Sequence, residues 1–234
     1  MARRTAIAAL LATVALVYGN GLASDFVWDD ASIVLERSGF FADPANIRTI
    51  LTSEDSTHVT GAKNPYYRPL NILSYMLDYH LWGHDPFWYH LENLLLHALA
   101  VVLLFLLVEA AFDDRLLAFV TALVFAVHPV NSESVSFISA RNNILCATLF
   151  FGSLLALYRS RGGGWHAALA ALLLFLLALA SKEPAVVIPF FLASLTCFTR
   201  KESLAADRRA LLAYFAVLLA YFVIRFVVLG TFTS

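Results

Sequence analysis

The sequence predicts an all-α polytopic membrane protein, and three observations predict it. Of 234 residues, 60% are apolar and 14% charged, with a mean hydropathy of +0.74. A soluble domain runs about 45–50% apolar and about 25% charged. Apolar stretches recur along the chain between short polar connections, and basic residues favour alternate connections. This composition excludes a soluble globular enzyme and a disordered chain. A formal net charge of −1 and the lack of any Lys/Arg-rich tract exclude nucleic acid as a partner. Cys146 and Cys197 lie in separate apolar stretches, one expected near the outer surface and one near the inner, so no disulfide is expected.

An apolar helix needs about 20 residues to cross a bilayer. The first candidate, Thr5 to Ala23, follows Arg3 and Arg4. A signal peptide is the competing reading, since a basic start, an apolar run and Ala23-Ser24 also fit that pattern. The others are Trp88–Glu109, Leu116–His128, Ile144–Tyr158, Trp165–Ala180, Ala185–Phe198 and Ala210–Leu229, making about seven spans. Several have only about 13–16 residues, which predicts broken or tilted helices.

The positive-inside rule sets the orientation. With Arg3 and Arg4 cytoplasmic, the inner segments also contain Arg115, Arg159, Arg161, Arg200, Lys201, Arg208 and Arg209, nine basic residues against six outside. Arg225 is expected to snorkel to the outer surface. Twelve of the seventeen acids fall outside. Chemistry is therefore expected on the outer face, while Phe112–Arg115 and Arg159–Gly164 read as plain inner turns.

The first outer loop, residues 24–87, is far longer than an ordinary connection. It opens with Asp25-Phe-Val-Trp-Asp-Asp30. Neighbouring side chains in an extended segment point to opposite sides, so one acid is expected to work and the other to support it. The competing reading is a cap, with Asp29 or Asp30 starting a helix over Ala31–Arg37. After Asn64-Pro-Tyr-Tyr-Arg-Pro-Leu70, the residues Leu70, Leu73, Leu77 and Leu81 recur at helical spacing, with Asn71, Ser74 and Asp78 elsewhere around the helix. That pattern predicts an amphipathic helix lying on the membrane. The aromatic segment Asp85–His90 marks the water boundary. Asn93 and His97, four apart, are expected to hydrogen-bond each other.

A second outer connection runs from His128-Pro-Val-Asn-Ser-Glu-Ser134 to Arg141-Asn-Asn143, where Asn131 or Ser132 is expected to cap a short helix. A third, Ser181-Lys-Glu-Pro184, interrupts an apolar stretch, and Pro184 stops the helix. Polar groups this close to hydrocarbon are costly unless paired or functional. Arg68, Arg141 and Lys182 are candidates for a cationic seat for phosphate, with anchoring as the plain alternative. No metalloprotease, nucleophile-elbow, P-loop or dinucleotide-binding signature is present.

Read in order, three blocks resemble a known family: Asp25–Asp30 with Tyr67-Arg-Pro-Leu70, His128–Ser134 with Arg141-Asn-Asn143, and Ser181-Lys-Glu-Pro184. Together they resemble the membrane part of the transmembrane and tetratricopeptide-repeat O-mannosyltransferases and, more widely, GT-C glycosyltransferases. The resemblance implies a single GT-C-like domain over 1–234. It implies transfer of a sugar from a polyprenyl-phosphate donor to a hydroxyl of an acceptor protein or glycan. It places Asp29 and Asp30 as catalytic acids, Arg68, Arg141 and Lys182 at the donor phosphate, and Tyr67, His128, Glu133 and Glu183 in support. A divalent metal, held by Asp30, Glu133 and His128, is one possibility. The family also has further spans and a repeat array, so the chain is expected to be the N-terminal part of a larger fold or to act with a partner chain. The alternatives are a non-catalytic membrane subunit, a transporter-like protein and an inactive fragment. The Ala/Leu/Arg-rich composition points to a bacterial inner membrane with a periplasmic site.

Overall fold

The computed structural model describes residues 1–52, 66–160, 165–198 and 204–229, the side chains of 194–198 and 204–207 apart. The expectations placed on Asn64-Pro65, Arg161, Gly162–Gly164, Arg200 and Lys201, and on the Cys197 side chain, lie outside the described residues.

Helix α1 (Arg3–Tyr18) continues through a 3-10 turn, Gly19–Ala23. A π-helical turn over Ala31–Leu35 and two short helices, α2 (Ser38–Phe41) and α3 (Asn46–Thr52), precede α4 (Pro69–Trp82). The bundle continues with α5 (Pro86–Phe112), α6 (Arg115–Val127), α7 (Val130–Ser136), α8 (Arg141–Ser160) and α9 (Trp165–Ser181). A 3-10 turn, Glu183–Val186, leads to α10 (Val187–Phe198), and α11 (Leu204–Leu229) follows. Every apolar stretch expected to be helical is helical.

Local chemistry sets the boundaries. Asp85 caps α5 by accepting from the Phe87 N–H at 3.1 Å, with Pro86 in the first turn where its missing N–H costs nothing. Asp113 ends α5 in the left-handed conformation, φ 54°. Asp114 then starts α6 by accepting from Leu116 and Leu117 N–H at 2.9 and 3.0 Å.

Length separates the expected spans. Arg3–Ala23, Pro86–Phe112, Arg141–Ser160 and Arg208–Leu229 are long and apolar enough to cross a membrane, and α6 with α7 would make a fifth, bent by 64°. The chain is an integral membrane protein. Helix α9 has 17 residues, about 26 Å at 1.5 Å per residue, short of the hydrocarbon thickness of about 30 Å. Among the described residues, the seven expected spans thus reduce to four or five of spanning length. Exposed residues such as Leu95, Leu173, Leu219 and Val227 form the apolar surface that faces lipid.

Among the described residues, three apolar clusters hold the fold. Ala6, Leu10, Val14 and Tyr18 seat α1 against α5 and α6 as a member of the bundle. Ala171, Phe175, Tyr214 and Leu218 join α9 and α11. A third cluster, Val34, Phe41, Ile50, Tyr75 and Tyr89, packs the first loop onto α4 and α5. Helix α4 leaves Leu77 and Leu81 more than half exposed while Asn71, Tyr75 and Asp78 are buried. The C-terminal half of its leucine stripe faces outward, while Leu73 packs against the third cluster and the polar stripe faces the protein.

Three local expectations change. Asn93 and His97 do not bond each other. Asn93 donates to the Phe137 carbonyl at 3.1 Å, and His97 Nε2 contacts the Ala126 carbonyl at 3.2 Å. Neither Asn131 nor Ser132 caps α7, because Pro129 holds the cap position and Asn131 donates to Phe125 O at 2.6 Å. Arg225 is 5% exposed rather than snorkelling, because it packs inside α11's buried face beside Tyr221.

Candidate functional site

Asp29 and Asp30 follow α1 and its 3-10 turn in a tight bend. Trp28 takes the left-handed conformation, φ 52°, which costs a non-glycine residue about a kcal/mol or more. Its indole is 88% exposed. Asp30 is fully buried: Oδ1 accepts from the Ser139 N–H at 2.7 Å and Oδ2 from the Val27 N–H at 3.3 Å. Asp30 makes no cap bond to the π-helical turn that follows, so the cap reading of the pair fails. Asp29 is exposed, and its carboxylate meets no partner among the described residues. One acid is buried and one exposed, but the pair opens a helical turn rather than lying in the extended segment expected of it, so strand alternation is not what separates them.

A second assembly forms around the 3-10 turn between α9 and α10. Arg68 grips Glu183 with Nη2–Oε2 at 2.7 Å and Nε–Oε2 at 3.1 Å, and its guanidinium stacks on Tyr66 at 4.2 Å. Lys182 Nζ donates to Asn143 Oδ1. Lys182 and Glu183 therefore have separate partners instead of pairing with each other. Burial, followed by the nearby positive charge of Arg68, holds the Lys182 ammonium below its ordinary range. Tyr67 props this corner from both sides. Its hydroxyl donates to Leu51 O at 2.9 Å, and its carbonyl accepts from Tyr221 at 3.3 Å. Cys146, a buried free thiol, lies against the Lys182 carbonyl at 3.8 Å.

The short link between α7 and α8 joins the two assemblies. Asp30 holds Ser139 and Lys182 holds Asn143, four residues on, so these anchors lie within about 14 Å of each other by chain reach. Arg141, between them, is 0% exposed. It lies 2.6 Å from Asp78 and 3.1 Å from Glu92, and it bonds Asn93 Oδ1 at 2.9 Å and Ser74 Oγ at 3.2 Å. Tyr75 and Tyr89 flank the guanidinium at 4.8 and 5.8 Å.

Human protein O-mannosyl-transferase TMTC1 is 35% identical over 190 residues, 79% of this chain and 20% of the relative. Mouse protein O-mannosyl-transferase TMTC3 is 32% identical over 161 residues, 65% of the chain and 17% of the relative. The Drosophila melanogaster protein O-mannosyl-transferase Tmtc1 is 28% identical over 174 residues, 73% of the chain and 20% of the relative. The chain belongs to the TMTC protein O-mannosyl-transferase family. It spans about a fifth of the length of these relatives. No protein-family model and no solved structure matches it.

Within this TMTC-type chain the expected residues divide into three groups. Asp29, Asp30, Arg68, Lys182, Glu183 and Tyr67 stand at one end of the bundle. Arg141 is spent internally, since its guanidinium is enclosed by carboxylates and aromatic rings and has no surface to offer a phosphate. His128 and Glu133 are exposed. The His128 Nδ1 accepts from the Val130 N–H at 3.2 Å, and Glu133 is close enough to act electrostatically on Lys182. No three His, Cys, Asp or Glu side chains converge among the described residues, so Asp30, Glu133 and His128 do not form a ligand set there. Sequence reasoning missed Asn143, Asp78 and Glu92 as partners. The signal for Asp78 was present: Asn71, Ser74 and Asp78 repeat at helical spacing as regularly as the leucines, which marks a second packed face.

Proposed function

We propose that this chain is the donor-side membrane domain of a glycosyltransferase that transfers a sugar from a polyprenyl phosphate to an acceptor hydroxyl. The sugar is mannose, the one in its relatives' names. The observation that carries this reading is the Asp30–Ser139 hydrogen bond, which ties the exposed Asp29 to the segment that also holds Lys182. Asp29 is the base. It takes the acceptor proton as the hydroxyl oxygen bonds to the anomeric carbon and the carbon–oxygen bond to phosphate breaks. One base suffices for a single displacement, which inverts the anomeric centre. Arg68 and Lys182 meet the charge that develops on the departing polyprenyl phosphate. Glu183 aims Arg68 and Asn143 aims Lys182, and Asp30 holds the turn.

The basic-residue distribution supports an extracytoplasmic site, the periplasmic face of the inner membrane in a bacterium. An impermeant thiol reagent should then reach a Glu133→Cys variant from outside. Reaction only after permeabilisation reverses the orientation.

The decisive test uses the full-length protein or its assembled complex. Asp29→Asn keeps the shape but removes the proton acceptor, so turnover should fall about 10²–10⁴-fold with donor binding retained. Arg68→Ala and Lys182→Ala should weaken binding of the lipid phosphate by roughly 1.5–3 kcal/mol. Normal turnover in Asp29→Asn with a dead Asp30→Asn assigns the base to Asp30. Full activity in both removes the pair from the chemistry.

A further inference from the structure

At the far end of the bundle a cavity of about 570 Å³ opens between α1, α5, α6 and α8, and Arg3, Glu109, Asp113, Arg115, Tyr158 and Arg159 line it. Three guanidinium groups thus face two carboxylates. Glu109 is already satisfied: Oε2 accepts from Arg3 Nε and Oε1 from Arg115 Nε, both at 2.7 Å. The Nη groups of Arg3 meet no partner among the described residues, and Arg115 uses only one of its own, on the Met1 carbonyl at 3.1 Å. Arg159, in the last turn of α8, has no partner among the described residues. Arg3, Arg115 and Arg159 stand at the ends of three different helices, where spans leave the hydrocarbon. A net positive cavity with unspent planar donors at that depth has the chemistry for a phosphate.

We propose that this cavity binds the phosphodiester headgroup of an anionic phospholipid, separately from the donor site. α1 keeps the two sites apart, its sixteen residues spanning about 24 Å. Free phosphate shares the chemistry, but only a lipid also places its chains beside the apolar helix surfaces at the cavity mouth.

The experiment is thermal melting of the full chain in neutral detergent during titration with a short-chain phosphatidylglycerol, a short-chain phosphatidylcholine or inorganic phosphate. Phosphatidylglycerol should raise the melting temperature saturably and the other two should not. Arg159→Ala removes the unpaired cation without breaking the Glu109 pairs. It should melt like the parent without lipid and need about tenfold more phosphatidylglycerol or higher. Inorganic phosphate as effective as the lipid would make this a free-phosphate site and overturn the lipid assignment. An unaltered lipid response in Arg159→Ala, or none in the parent, would overturn the site. None of these results bears on Asp29 or Lys182, so the proposal stands or falls apart from the catalytic reading.

Discussion

Two ionic clusters tie the bundle together with opposite stoichiometry. Near the candidate site one cation, Arg141, serves two acids, Asp78 and Glu92, and its side chain is 0% exposed. At the far end one acid, Glu109, serves two cations, Arg3 and Arg115, whose side chains are 59% and 45% exposed. The distances are alike, at 2.6–3.1 Å and 2.7 Å. Their consequences differ because water screens both cations of the second cluster, while the cation of the first is enclosed. Distance alone therefore says little about what an ion pair does. The buried cluster fixes where α4, α5 and the α7–α8 link meet, and so where both halves of the candidate site are anchored.

The sharpest way to break this contrast is Arg141→Ala. It leaves Asp78 and Glu92 without their cation and Asn93 and Ser74 without their donor, and removing one partner of a buried pair costs about 3–5 kcal/mol. We expect a large drop in melting temperature and in yield of folded protein, with donor binding lost as a consequence. A variant that stays fully folded yet loses the donor would return Arg141 to the phosphate-binding role.

A smaller effect concerns the unequal charge of the buried cluster. A single guanidinium cannot neutralise two carboxylates, and Asp78 takes up the difference. Burial first, and then Glu92 beside it, pushes its pKa from 3.8 up to about 8, against the pull of Arg141. The Arg141–Asp78 contact is close without being an aligned hydrogen bond, since Asp78 Oδ2 has no hydrogen-bond partner. The folded state thus holds a proton that the unfolded chain releases near pH 4. The stability linked to Asp78 is complete below that pH and is lost as pH rises through about 8. Melting scans between pH 5 and 9 should show this decline in the parent, and Asp78→Asn, which imitates the protonated acid, should flatten it. An equal slope in both proteins would place the titration elsewhere.

This cluster also marks how far the sequence could be read. The apolar stretches and the exposed Leu77 and Leu81 of α4 were legible because each follows from spacing along the chain, whereas Asp29 and Asp30 part at a helical turn and not by the strand alternation expected of them. The pairings were not. Arg141 sits in a polar block between two apolar stretches, where a surface cation is the ordinary expectation, and its partners come from α4 and α5. Arg225 failed for the same reason, because nothing local distinguishes a snorkelling arginine from one packed inside. Span counting also failed locally: the break between α9 and α10 was expected, but each is too short to count as a full span. Lys182 and Glu183 were read without partners, because Asn143 and Arg68 lie far from them in sequence.

The smallest effect tests the other half of the contrast. Arg3→Ala removes one of two cations from Glu109, but Arg115 still holds Oε1 at 2.7 Å, and the lost side chain is mostly in water. Exposed ion pairs are worth about 0–1 kcal/mol, and raising the salt should shrink the difference further, since a Debye length is about 3 Å at 1 M. We therefore expect Arg3→Ala to melt within a few degrees of the parent at low salt and with it at high salt. The double variant Arg3→Ala, Arg115→Ala should lose more than the sum of the two singles. Only then does Glu109, whose side chain is 8% exposed, stand without any cation. If Arg3→Ala alone proves as damaging as Arg141→Ala, the far cluster is shielded by lipid as strongly as the near one is by protein, and exposure to water is not what separates them.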